Sequence, residues 1–136
     1  MPWQQKFEAA KLYSGDMILT NVSVGKNGEE IAKKHLEKQG YKILETNKRF
    51  SRICEIDIIA LDKDTLVFCE VKTRKTNICG SPMEAITKTK YANIKKGMFY
   101  YRQENPQYKK TRIDAISIVF KPEFKIEHLK NIYINL

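Results

Sequence analysis

Two successive runs in this chain are apolar on both faces, and charge interrupts each of them. Residues 53–61 read ICEIDIIAL and residues 65–73 read TLVFCEVKT. Side chains alternate between the faces of a strand, so a strand lying on the surface shows polar residues at every second position. These runs do not, and they belong in the middle of a sheet that is covered on both sides. Asp62, Lys63 and Asp64 lie between them and make a turn, which predicts a hairpin. Inside the runs, Asp57 stands between Ile56 and Ile58, and Glu70 between Cys69 and Val71, with Lys72 two residues further on. Removing an isolated ionised group from water costs several kcal/mol, so these charges need partners or a metal ion.

The remaining elements follow closely. A helix is predicted over residues 27–39, with Asn27 and Glu30 as a capping box and Gly40 at the left-handed position after its end. Ala32 and Leu36 mark its buried face, and Glu29 lies at the head of that face. Residues 41–50 form a first strand. A second helix is predicted from Ser81, Pro82, Met83 and Glu84 to about residue 103, stopped by Asn105-Pro106. Residues 112–120 (RIDAISIVF) form another strand, and the closing IYINL of residues 126–136 a further short one. Helix, three strands, helix and two strands make an α/β domain with a mixed sheet between two helices. That domain spans residues 25–136, preceded by an N-terminal appendage over residues 1–24, and the chain carries no repeat or low-complexity tract.

Glu70 and Lys72 share one face of their strand, roughly 6.6 Å apart along it. In a hairpin, Asp57 approaches the same face. Carboxylate oxygens suit Mg²⁺ or Mn²⁺. The two histidines, His35 and His128, are far apart in sequence, which argues against a histidine-based zinc site. The three cysteines, Cys54, Cys69 and Cys79, form no CxxC pair, which argues against a zinc ribbon and a disulfide framework. Cys54 and Cys69 read as core thiols, and a reducing, cytoplasmic compartment is the default. Two carboxylates with a metal and an ammonium support phosphodiester hydrolysis. Lys72 would orient or help deprotonate the attacking water, and Glu29 would hold the metal or its water. The alternative for Asp57, Glu70 and Lys72 is a buried ion-pair network. Their arrangement across adjacent apolar strands of a basic chain favours a site.

The chain has 25 Lys and Arg against 16 Asp and Glu, a net charge of +9. That excess points to a polyanionic partner, nucleic acid before anionic membrane. No apolar run approaches the roughly 18 residues of a membrane helix, and the N-terminus lacks the apolar stretch of a secretion signal. Arg74, Lys75 and Lys90 are the candidate nucleic-acid contacts. Lys90 lies four residues after Ile86 and four before Ile94, on the apolar face of the second helix. A phosphate or active-site contact explains that placement, and so does a stem lying on apolar surface with its head in water. Lys95 and Lys96 read as a solvated face. At helical spacing, Phe99, Tyr100 and Tyr101 read as core before they read as a base-stacking platform. Arg112 and Asp114 share a strand face and read as a structural ion pair.

The series Gly25-x-x-Gly28-Glu29, Glu55-Ile56-Asp57-Ile58-Ile59-Ala60 and Leu66 through Glu70-Val71-Lys72-Thr73-Arg74 resembles the YraN family of endonuclease-like bacterial proteins. Gly80-Ser81-Pro82 with Glu84-Ala85, Lys90 and Arg112-x-Asp114 extend the resemblance over roughly residues 25–120. The family is similar to archaeal-type Holliday junction resolvases and to the restriction-endonuclease-like fold with its PD-(D/E)xK site. The resemblance implies that fold, with a central mixed sheet flanked by helices, and a Mg²⁺- or Mn²⁺-dependent endonuclease. By it, Asp57 is the metal-binding aspartate, Glu70 the second acidic position, Lys72 the site lysine and Glu29 the helix glutamate. DNA stands ahead of RNA as substrate, with branched or single-stranded structures in view. Resolvase-like relatives act as dimers, which leaves a homodimer open. Two other functions compete: a nucleic-acid-binding module with a silent site, and an accessory subunit active only in a complex.

Overall fold

The computed structural model describes residues 21–76, 84 and 86–136, and the side chains of its first helix from Asn27 onward. Helix α1 (Asn21–Lys38) leads into strands β1 (Lys42–Phe50), β2 (Cys54–Asp62) and β3 (Thr65–Thr76). Helix α2 (Lys88–Glu104) follows, then β4 (Lys110–Lys121) and β5 (Lys125–Leu129). The five strands form one sheet in sequence order. All neighbours are antiparallel except β3 and β4, which run parallel and have α2 in the connection between them. This is an α/β fold with a mixed sheet flanked by helices, consistent with the restriction-endonuclease-like architecture. No described helix is long and apolar enough to cross a membrane.

Each face of the sheet is closed by one helix. Ile31, Ala32 and Leu36 of α1 pack with Ile58, Ala60, Val67, Cys69, Ile116 and Ile118. Tyr91, Ile94 and Tyr101 of α2 pack with Ile56, Ile59, Leu66, Phe68 and Ile113. The two apolar runs are thus covered on both sides, as their composition requires. Among the described residues no buried side-chain nitrogen or oxygen lacks a hydrogen-bond partner.

The hairpin forms as expected. Asp62 pairs with Thr65 and leaves Lys63 and Asp64 as a two-residue turn, Lys63 at φ 57°. Gly40 closes α1 at φ 91°. Its N–H donates to the Glu37 carbonyl at 3.0 Å and that of Tyr41 to the Leu36 carbonyl at 3.0 Å, a Schellman motif. Three boundaries differ from expectation. Helix α1 starts at Asn21, so Asn27 and Glu30 lie in its interior and form no capping box. No proline stands between Asn21 and Asn27 to stop the helix there. Helix α2 starts at Lys88, because the side chain of Thr87 caps it by accepting from the Lys90 N–H at 3.1 Å. Ser81, Pro82 and Met83 lie outside the described residues. The last strand is Lys125–Leu129, and IYINL lies beyond it. Ile132 instead donates its N–H to the Ile113 carbonyl at 2.7 Å and buries its side chain on the α2 side.

One glycine sets the approach of α1 to the sheet. A methyl group built on Gly28 would stand 2.7 Å from Thr73 Cβ and closer still to its hydroxyl oxygen. Gly28→Ala is expected to destabilise the fold by about 1–3 kcal/mol, the usual cost of overpacking. A thermal melt checks this, and Thr73→Ala in the same chain is expected to restore part of the loss. An unchanged melting temperature for Gly28→Ala alone would refute the close approach.

Candidate active site

The site lies where the two middle strands separate. The β2–β3 ladder runs from Asp62↔Thr65 to Ile58↔Cys69 and ends there. Below that point β2 pairs only with β1, and β3 only with β4 as far as Thr76↔Lys121. Asp57 and Glu70 are the next residues on the two strands, at the base of the cleft. Ile58 joins the α1-side core, whereas Ile56 joins the α2-side core. Regular alternation would put both on one side, so β2 rotates at Asp57. The Asp57 carboxylate takes over the lost pairing and accepts the Val71 N–H at 2.8 Å. The sequence could not show this bond, because it needs the strand to break its own alternation.

Glu70 is 4% exposed, and the Lys90 ammonium forms an ion pair with it. Lys90 sits in the first turn of α2, so its place on the apolar face of that helix is explained by a contact with the site. Its side chain remains 46% exposed, so the ammonium also reaches solvent. Lys72 is exposed on β3, two residues beyond Glu70. Arg74 is half-buried and Lys75 exposed further along the strand. Glu29 is half-buried on α1, beside the Gly28 contact with Thr73. The structure thus joins Asp57, Glu70 and Lys90 closely and sets Glu29 and Lys72 around them. Among the described residues no three His, Cys, Asp or Glu side chains converge into a cage for a metal ion. Glu29 therefore acts on the carboxylate pair through its charge in this arrangement.

That charge environment is unfavourable for two carboxylates. Burial raises the Asp57 pKa to about 7, Glu70 and Glu29 push the same way, and the Val71 N–H and Lys90 oppose them. Burial also raises that of Glu70, against the hydrogen bond and charge of Lys90 and the charge of Lys72. Both carboxylates favour the protonated state more than they would in water, and the positive charge around them does not offset the desolvation. A pair of oxygen donors in this condition has the chemistry of a cation site. Mg²⁺ is commonly held by one or two carboxylates with water and substrate phosphate completing the shell. The donor set therefore fits such an ion.

A second polar cluster lies on the α1 side of the sheet. Asp114 is fully buried and accepts from Arg112 Nε at 3.0 Å and from the Asn131 N–H at 2.9 Å. His128 Nε2 is 2.8 Å from its other oxygen, and since a carboxylate only accepts, that nitrogen carries the proton. Arg112 also reaches Asp62 at 2.8 Å and the Tyr41 hydroxyl. The Arg112–Asp114 ion pair is as the strand spacing predicts. Tyr41, Asp62, Asn131 and both histidines are additions that no local pattern signals. His35 and His128, distant in sequence, have ring centroids 5.7 Å apart. They lie in this cluster, and among the described residues neither they with Asp114 nor any other three His, Cys, Asp or Glu side chains are arranged to hold a metal ion. Cys69 is buried as expected, and Cys54 is half-buried with its thiol donating to the Asn93 carbonyl at 3.2 Å. Cys79 lies outside the described residues.

A family model described as "Uncharacterised protein family UPF0102" matches residues 28–118. A UPF0102 protein of Geobacter metallireducens is 42% identical over 119 residues, covering 86% of this chain and 97% of that protein. One of Dictyoglomus thermophilum is 40% identical over 119 residues, covering 85% of this chain and 100% of its own length. One of Syntrophomonas wolfei is 39% identical over 115 residues, covering 83% of this chain and 99% of its own length. The matched span includes Gly28, both site carboxylates, Lys72, Lys90 and the Arg112–Asp114 pair.

Proposed function

The chain belongs to the uncharacterised protein family UPF0102, and we propose that it is a metal-dependent nuclease acting on DNA in preference to RNA. The observation that carries this reading is the desolvated pair Asp57 and Glu70 at the base of the cleft where the hairpin splays, with Lys72 on the same strand as Glu70. A net charge of +9 supplies the attraction to phosphate.

Asp57 and Glu70 would hold Mg²⁺ or Mn²⁺, and the Glu29 charge, which already acts on both carboxylates, would add to the attraction for the ion. When bound, the ion neutralises the two carboxylates, polarises a phosphate oxygen and acidifies water. The protein's own groups do the rest. The Val71 N–H fixes the Asp57 carboxylate in orientation. Lys72 orients the attacking water and faces the negative charge that develops on the phosphate. Lys90 holds Glu70 through their ion pair, and its ammonium, which also reaches solvent, would add positive charge beside a bound phosphate. Arg74 and Lys75 extend positive charge along β3 for the flanking backbone.

The test is cleavage of labelled single-stranded, duplex and four-way-junction DNA with Mg²⁺, with Mn²⁺ and with chelator, for wild type and Glu70→Ala. Metal-dependent cleavage that disappears in the variant is the expected result. One observation favours a second reading: Lys90 already pairs with Glu70, as it would in a silent site whose fold serves binding alone. Salt-sensitive binding without cleavage of any substrate would establish that reading instead. Cleavage that persists in Glu70→Ala would remove the site from consideration.

A further inference from the structure

The outward side of α2 carries features that the cleft does not use. Phe99 is 59% exposed and Tyr100 45% exposed. Their rings pack edge to face with centroids 5.7 Å apart, so they form a ridge standing off the helix. A single exposed aromatic needs no explanation, but two adjacent ones held against each other in solvent do. On its Phe99 side the ridge walls a groove of about 250 Å³, lined by Phe99, Arg102, Gln103, Pro106, Tyr108 and Lys109. That lining offers two aromatic rings and two cations and no carboxylate. The helix continues the pattern. At roughly 100° per residue, Lys88, Lys95, Phe99 and Arg102 fall on one stripe. The acidic residue of α2, Glu104, lies off it.

We propose that this groove binds an unstacked base of a single-stranded nucleic-acid segment. Phe99 stacks on the base, and Arg102 and Lys109 meet the adjoining phosphates. The inference rests on the nucleic-acid reading of the cleft and names the substrate form within it. Base faces are open to an aromatic ring only where the strand is unpaired, whereas a duplex shows the protein its phosphates and groove edges. Phe99 lies nine residues after Lys90, roughly 14 Å along the helix axis. Nine residues also turn about half-way round the helix, so a strand leaving the cleft at Lys90 passes around α2 to reach the outward basic stripe and the groove. The cations make phosphate a better match than an apolar partner surface.

The experiment is fluorescence anisotropy in chelator with labelled oligothymidylate and a blunt duplex of equal length, each at two salt concentrations. It compares wild type, Phe99→Ala and the Arg102→Ala/Lys109→Ala pair. Phe99→Ala removes an exposed ring and is expected to fold normally, as its melting temperature checks. It should weaken oligothymidylate binding roughly 5- to 100-fold, the range for one lost stacking contact. Duplex affinity should change less than about twofold, and the salt dependence should stay as in wild type because no cation is lost. The cation pair variant should bind oligothymidylate with a shallower salt dependence. Unchanged oligothymidylate affinity in Phe99→Ala, or an equal loss on both DNAs, overturns the groove and leaves the cleft untouched. A wild-type dimer that Phe99→Ala dissociates with no change in binding makes the ridge a self-association face and also overturns it. Wild type binding neither DNA overturns the nucleic-acid reading and this inference with it.

Discussion

Asp57→Asn should abolish cleavage and leave the metal-free protein at least as stable as wild type. The two effects share one cause. Asparagine keeps the shape and an oxygen that accepts the Val71 N–H, so the contact at 2.8 Å survives. It removes the charge that burial and the neighbouring Glu70 and Glu29 disfavour. The sign follows from linkage. The pKa of Asp57 is raised from 3.8 in the unfolded chain to about 7 in the folded one. The folded state then binds more protons between those values, so stability falls as pH rises through the window and stays lower above it. Replacing the carboxylate removes that loss. The shift sets a ceiling of about 4 kcal/mol; because Asp57 keeps some contact with water and asparagine leaves an amide to be solvated, the expected gain above pH 7 is about 1 kcal/mol, a few degrees in melting temperature, and it should vanish near pH 4, where wild-type Asp57 is itself protonated. Cleavage should fall roughly a hundredfold or more, the scale set by deleting one preorganised electrostatic group. Thermal melts in chelator at pH 5 and pH 8, with cleavage assays beside them, measure both. A loss of several degrees at both pH values would mean that the carboxylate holds the fold together and is no functional strain.

The same strain made the site legible before the fold was known. Asp57, Glu70 and Lys72 stand out because each breaks a run that must be buried, and burial of charge is expensive enough to need a reason. Lys90 was legible by phase, since helical spacing puts it on the buried side of α2 with Ile94, and its contact with Glu70 is what that phase allows. The hairpin and both helix-covered faces followed from apolar periodicity. What escaped falls into two kinds. Capping patterns are short and recur by chance: Asn27 with Glu30 matches a capping box but lies inside α1, and Thr87 starts α2 with no flanking pattern to advertise it. Helical spacing reads Phe99, Tyr100 and Tyr101 as core together, but the phase fixed by Tyr91, Ile94 and Tyr101 buries only Tyr101 of the three and turns Phe99 and Tyr100 outward. The other kind is long-range. Arg112 reaches Asp62 across 50 positions and Tyr41 across 71, and only the sheet order brings them together.

Asp114→Ala is expected to be the most destabilising of these substitutions, at about 3–5 kcal/mol, the usual result of deleting one partner of a buried ion pair. On folding, Asp114 loses all contact with water, and its oxygens receive hydrogen bonds from Arg112, His128 and the Asn131 backbone. Burial by itself would raise its pKa, but those hydrogen bonds outweigh it and hold the carboxyl below its ordinary value. Deleting it strands a guanidinium whose side chain is 16% exposed, with Asp62 and Tyr41 as its remaining partners. A fall of roughly 10–20 °C in melting temperature follows for a chain of this size. The pH dependence separates this from simple loss of packing. A carboxylate with a depressed pKa contributes stability that is present above its unfolded value and lost as pH falls through its folded value. His35 adds a loss at higher pH, because burial and then His128 lower its pKa from 6.5 to about 4, so protonation disfavours the folded state across that interval. The His35 contribution is therefore lost from about pH 6.5 downward, opposed in the same window by Asp57, whose contribution grows as pH falls, and the Asp114 contribution is lost below about pH 4, so Asp114→Ala should lack that lowest step alone. Removing Arg112 as well, as Arg112→Leu with Asp114→Ala, should cost less than the sum of the two single changes, since each leaves the other's charge unpaired. Additive losses, or a single-variant cost under about 1 kcal/mol, would mean that the cluster is a polar filling of the α1-side core with no cooperative hold on it. The cluster lies across the sheet from α2 and leaves Asp57 and Glu70 untouched, so the proposed cleavage, measured per folded molecule, should be the same in Asp114→Ala as in wild type.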